Sequence, residues 1–145
     1  MSAPTLFLRL EGPLQAWGIA DSKFVIRRTA GAPTKSGVIG LLCAARGVPR
    51  ADAGSLLSTL TALRMGVRVD RPGVRWWDYH TVGARMKMRT AEGGAKDGVL
   101  LSRREYLCDA SFLVALQGEA QLIDQLTIAL RAPCWPPYLG RKACP

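Results

Sequence analysis

The only histidine of the chain, His80, stands in its densest aromatic run: Trp76, Trp77, Asp78, Tyr79, His80 and Thr81. An imidazole there is a candidate general acid or base. A Tyr79 or Tyr106 hydroxyl would complete the set, with nearby lysines or arginines stabilising the phosphorane. That set would cleave RNA without a metal. Spacing fixes no partner for a lone histidine, however, and a second reading stands beside the first. Aromatic rings interleaved with basic residues suit the stacking of single-stranded bases. Another candidate is Gly31-Ala32-Pro33-Thr34-Lys35-Ser36, which has the outline of a phosphate-binding loop. It lacks the two glycines that loop requires, because Thr34 and Thr29 occupy their positions. Nucleotide hydrolysis is therefore not expected. A helix beginning at these residues would still offer free N–H groups, the Thr34 and Ser36 hydroxyls and the Lys35 charge to one phosphate. The same residues also make an ordinary helix cap.

Around these candidates lies a strong excess of positive charge. The 145 residues carry 20 Lys+Arg against 11 Asp+Glu, a net charge of +9. That balance points to a polyanion, with nucleic acid the commonest. The cations fall in three clusters. The first, between Ser22 and Ala51, holds Lys23, Arg27, Arg28, Lys35, Arg46 and Arg50 with no acid. The second holds Arg75, Arg85, Lys87, Arg89, Lys96, Arg103 and Arg104 with only Asp78, Glu92 and Asp97. Arg141 and Lys142 form the third. All lie in irregular or Gly/Pro-punctuated segments, as backbone phosphate contacts would favour. No metal or cofactor signature accompanies them. Cys43, Cys108, Cys134 and Cys144 lack metal-ligand spacing and stand far from His80. The longest apolar stretch, Gly37 to Ala45, is far short of a membrane span. Arg9 interrupts any signal-peptide core, so a cytoplasmic protein with reduced thiols is expected.

The elements that must position these residues follow from hydrophobic period. Thr5–Leu10 alternates, with Leu6, Leu8 and Leu10 on one face and Phe7 and Arg9 on the other. Pro33–Ser36 opens a helix whose stripe is Val38, Leu41, Leu42 and Ala45, ended by Gly47 and Pro49. Leu63–Asp70 alternates again, placing Leu63, Met65, Val67 and Val69 inward and Arg64 and Arg68 outward. Ala110–Leu116 reads as a third strand and Glu119–Arg131 as a second helix. The order predicts one α+β domain over 1–145, a ferredoxin-like β-α-β-β-α-β core with its last strand weak or clipped. Its free sheet face would carry Phe7, Arg9, Arg64 and Arg68, either facing RNA or as ordinary solvated residues. Residues 74–104 lack convincing periodicity and read as a basic, glycine-rich insertion, a projecting hairpin or thumb. Trp17 and Trp135, near turns, suit core lids or stacking platforms.

Five ordered blocks then match one family together. They are Gly12–Gly18, Pro33–Leu42, Asp78–Ala84, Arg104–Phe112 and Pro137–Lys142. In these blocks the chain resembles family five of the CRISPR-associated proteins, the RAMP-superfamily subunit of type I-E Cascade. The resemblance implies a non-catalytic subunit that caps the 5′ handle of the CRISPR RNA in antiviral defence. Arg27, Arg28 and the Thr34–Lys35–Ser36 helix start would hold handle phosphates. Gln15, Trp17, Arg103 and Arg104 are counted among the RNA contacts. Tyr79, His80 and Thr81 would belong to a thumb that packs on the adjacent backbone subunit and displaces a nucleotide. Tyr138, Gly140, Arg141 and Lys142 would form a glycine-rich loop against RNA. Implied partners are the CRISPR RNA, the backbone subunit and the large subunit, with target DNA reached only through the complex. A type I-C relative processes RNA, which keeps a His80 and Tyr79 endoribonuclease as the alternative. Family members continue past the Pro137–Pro145 block, so a C-terminally short sheet with an exposed edge is expected.

Overall fold

Residues 3–19, 25–83, 87–90 and 92–145 are described by a computed structural model. In chain order they form β1 (Thr5–Glu11), β2 (Leu14–Gln15), β3 (Trp17–Gly18), β4 (Ile26–Arg27), β5 (Thr29–Ala30) and α1 (Lys35–Ala45). Next come α2 (Gly54–Thr61), β6 (Arg64–Arg71), β7 (Val74–Val82), β8 (Met88–Arg89) and β9 (Ala95–Lys96). The last three are β10 (Leu100–Cys108), β11 (Ser111–Gln117) and α3 (Ala120–Arg131). Lys23 and Arg85, basic residues of the first and second clusters, lie outside the described residues.

Two sheets organise this α+β structure. In the first, β11 lies between β1 and β6, antiparallel to both. Leu10, Phe112, Val114 and Leu116 point to one face and are buried with Val38 and Leu42 of α1 and Ile123 and Leu126 of α3. Helical spacing places those helix side chains on single stripes, so burying them drives the helices onto the sheet. The opposite face leaves Phe7 62% exposed, with Arg9, Arg64 and Arg68 exposed around it. The alternation expected of Leu63–Asp70 holds in the pairing, since Val67 and Val69 stand opposite Val114 and Phe112 on the core face, yet both stay exposed because β6 is an edge strand.

In the second sheet β10 is the hub. It pairs antiparallel with β2 at one end, parallel with β4, and antiparallel with β7 from Cys108↔Val74 to Leu100↔Val82. The segment that lacks periodicity in the sequence is therefore mostly regular strand. Alternation fails to flag it because β7 exposes both its faces and so has no apolar side to repeat. Its root differs from its far end: Tyr106 and Leu107 of β10 are core residues, whereas Leu100 and Leu101 are exposed.

Helix α1 begins where proline and threonine predict. Thr34 is its N-cap, and its hydroxyl accepts the Gly37 N–H at 3.3 Å. Trp17 packs so tightly on Gly37 that a Cβ there would stand 2.8 Å from the indole. The short helix α2 is not foreshadowed by the sequence pattern, since only Leu60 of its residues is buried. No helix among the described residues is long and apolar enough to cross a membrane.

Candidate nucleic-acid interface

A hollow of about 430 Å³ opens beside β10 and is lined by Ala16, Gly18, Arg27, Arg104, Gly140, Arg141, Lys142 and Ala143. Its cations come from all three basic clusters of the sequence. The parallel pairing of β4 on β10 sets Arg27 opposite Arg104, and the C-terminal loop brings Arg141 and Lys142 over them. Among the described residues, no carboxylate lines the hollow. A groove of one charge sign bounded by backbone is suited to hold a phosphodiester chain.

The loop is held by backbone. The Ala16 N–H donates to the Leu139 carbonyl at 3.0 Å, which brings Gly140 against the chain at Ala16. Gly140 sits at φ +93°, and a Cβ there would overlap the Ala16 carbonyl oxygen at 1.7 Å. Only glycine fits. Arg141 then works mainly as a strut. Its Nη1 donates to the Glu105 carbonyl at 3.0 Å and its Nη2 to the Arg27 carbonyl at 3.0 Å, with the guanidinium 5.0 Å from the Tyr106 ring. Its charge still faces the groove, while Lys142 is exposed there.

Other expected contacts are placed differently. Gln15 and Trp17 are fully buried, so neither presents a surface to RNA. The Gln15 side chain donates to the Leu10 and Ala110 carbonyls and accepts the Trp17 indole N–H at 3.0 Å. An amide and an indole N–H in the interior need such partners, and this knot provides all three. The helix start, where Lys35 and Ser36 are exposed, lies apart from the hollow. Thr34 caps α1, and Lys35 Nζ donates to the Thr61 carbonyl at 2.6 Å, closing the end of α2. None of Thr34, Lys35 and Ser36 lines the basic hollow.

The two residues of the candidate catalytic set are not brought together either. Tyr79 and His80 are successive in β7, so their side chains point to opposite faces. Tyr79 and Thr81 share a face with Arg103, whose guanidinium lies 6.0 Å from the Trp77 ring. His80 shares the other face with Asp78, Ser102 and Arg104, its Nδ1 3.6 Å from the Asp78 carboxylate. Tyr106 is buried and pairs with Trp76, four positions from His80, roughly 13 Å along the strand.

Residues 5–145 match the family model described as CRISPR-associated protein (Cas_Cas5). The chain belongs to this Cas_Cas5 family. It is 41% identical over 154 aligned residues to the CRISPR system Cascade subunit CasD of Escherichia coli (strain K12), covering 97% of this chain and 66% of that protein. A solved chain titled CRISPR RNA-guided surveillance complex superposes with a TM-score of 0.81 at 42% identity, over 97% of this chain and 59% of its own. Another, titled Crystal structure of Cas protein, gives 0.71 at 44% identity, over 97% and 58%. The chain thus spans under two thirds of the length of each of these relatives.

Three residues that are not among the expected RNA contacts support the groove of this Cas_Cas5 chain. They are Glu105, Thr29 and Arg75. Glu105 is buried, and its carboxylate accepts the Thr29 N–H at 3.0 Å and the Arg75 guanidinium at 2.9 Å. Thr29 also takes the Trp17 N–H on its hydroxyl at 2.7 Å. Together they tie β5, β7 and β10 behind the groove. One signal is present in the sequence: Glu105 is a lone acid between Arg104 and Tyr106, set in an otherwise basic segment.

Proposed function

We propose that this chain binds the 5′ handle of a CRISPR RNA as a non-catalytic subunit of a Cascade-type surveillance complex. One observation carries the reading: cations from three distant segments line one hollow that no described carboxylate shares. The relationship to a protein named as a Cascade subunit supports the same assignment. In this reading Arg27, Arg28, Arg104, Arg141 and Lys142 hold handle phosphates, with Arg28 and Lys142 exposed for the purpose. The arm of β7 and β10 acts as the thumb. It offers Tyr79, Thr81 and Arg103 on one face and His80 on the other, to RNA and to the adjacent backbone subunit. The large subunit and, through it, target DNA complete the partner set. The strand order β1-β11-β6 supports a ferredoxin-like core, in which the first and second strands flank the third.

The test is binding of handle-bearing RNA by the full chain across a series of salt concentrations. Arg104→Ala and Lys142→Ala are expected to weaken binding and flatten the salt dependence. Unchanged binding by both variants at every salt would refute the groove. Cleavage of repeat RNA in EDTA that His80→Ala abolishes would replace this reading with an endoribonuclease.

A further inference from the structure

A second hollow meets the basic one at Lys142. It measures about 550 Å³ and is lined by Ala44, Trp135, Pro136, Pro137, Tyr138, Lys142 and Pro145. Lys142 is the one residue common to both linings. A lysine so placed is able to lay its aliphatic stem along an apolar hollow and keep its ammonium for a basic one.

The walls of this second hollow are pinned. The Cys134 and Trp135 N–H groups donate to the Ala45 and Ala44 carbonyls at 2.9 and 3.2 Å, which satisfies the otherwise open end of α1. Pro136 and Pro137 fix their own φ angles. The Leu139 N–H closes onto the Cys144 carbonyl at 2.6 Å. Trp135 and Tyr138 nevertheless remain 42% and 36% exposed. Two aromatic rings left at the surface on so constrained a loop are poised to take a flat partner at little cost in order.

We infer that this hollow is a nucleobase pocket, receiving the base of a nucleotide whose phosphate lies against Lys142 in the basic groove. The inference deepens the RNA reading above and rests on it. Continuity through Lys142 favours a base over an apolar peptide segment. A chain following the groove delivers its base within reach of the rings, and every base has a face that stacks on an aromatic side chain.

The experiment uses the full chain and a handle-bearing RNA in which each nucleotide in turn is made abasic or replaced by photoreactive 5-iodouridine. One abasic position is expected to weaken binding about tenfold, within the range for loss of one stacked base. In Trp135→Ala the same abasic change is expected to cost nothing further, while Trp135→Phe retains most of the affinity. At that position 5-iodouridine crosslinks to Trp135 or Tyr138 in the unaltered protein, a readout independent of whether a variant folds. RNA that binds with no base dependence and no such crosslink overturns the pocket and leaves the RNA reading standing. A crosslink from Trp135 to another protein subunit in the assembled complex also overturns it. Failure of the RNA to bind at all overturns both.

Discussion

The basic groove and the end of the three-stranded sheet are both rich in arginine, yet the fold treats their charge in opposite ways. At the sheet end Arg68 pairs with Asp70 at 2.6 Å, Arg71 with Glu11 at 2.7 Å, and Arg9 with Glu11 and Asp70 at 3.5 and 3.9 Å. The Ser111 hydroxyl, donating to Glu11 at 2.7 Å, and the neighbouring arginines hold that carboxyl below its usual range. Arg68 does the same for Asp70. The two acids here offset most of the charge of the three arginines, although Arg9 and Arg68 are candidates from the sequence for a face toward RNA. In the groove Arg104, Arg141 and Lys142 converge without a described carboxylate in the lining. A count of arginines therefore does not locate an interface. The decisive fact is whether the fold also delivers acids to them.

The comparison can be broken most forcefully at Gly140. Gly140→Ala is expected to cost about 3 kcal/mol or more and to abolish RNA binding, because its Cβ would collide with the Ala16 carbonyl. Chemical denaturation with parallel RNA titration measures both. Next come two arginines of equal charge. Arg75→Ala strips a partner from buried Glu105 and is expected to destabilise by about 2 kcal/mol, read from the urea midpoint. Arg68→Ala, which loses only an exposed pair, should cost much less than Arg75→Ala. Equal losses would erase the distinction between the two regions.

Charge removal sharpens it further. Lys142→Ala or Arg104→Ala is expected to weaken handle RNA binding about tenfold, lowering the salt slope by about 0.7 for each phosphate no longer neutralised. Arg9→Ala and Arg68→Ala should leave binding within about twofold. The smallest effect is on pH dependence. Glu11 and Asp70 titrate lower in the folded chain than unfolded, so their contribution is present above about pH 4. It disappears as pH falls through the folded-state values. Glu11→Gln and Asp70→Asn should flatten the acid limb of stability, measured by urea unfolding on either side of pH 4.

Strands β1 and β11 and helices α1 and α3 are legible in the sequence because each buries one face, and burial writes a period of two or of 3.6 residues; β6 keeps the alternation although only Met65 of it is partly buried. The arm and α2 are not, for want of a buried face to repeat. The same limit applies within the site. Arg104, Arg141 and Lys142 can be marked as cations of interest from their motif blocks. That Gln15 and Trp17 of an equally clear motif are interior cannot, because the carbonyls that hold the Gln15 amide belong to Leu10 at the end of β1 and to Ala110 in a distant turn.

Composition, charge clustering and five ordered motif blocks determined the family and the class of partner to expect, since these depend on which side chains are present and in what order. The tertiary structure alone decided what each cation meets and which of them converge. Arg75 was drawn to a buried acid, Lys35 to a helix end and Arg141 to the carbonyls behind the groove. Arg27, Arg104 and Lys142 came together from three segments. The reason is physical: the energy of a charge depends on what lies within a few ångströms of it, and at that range the neighbours are set by folding rather than by position along the chain.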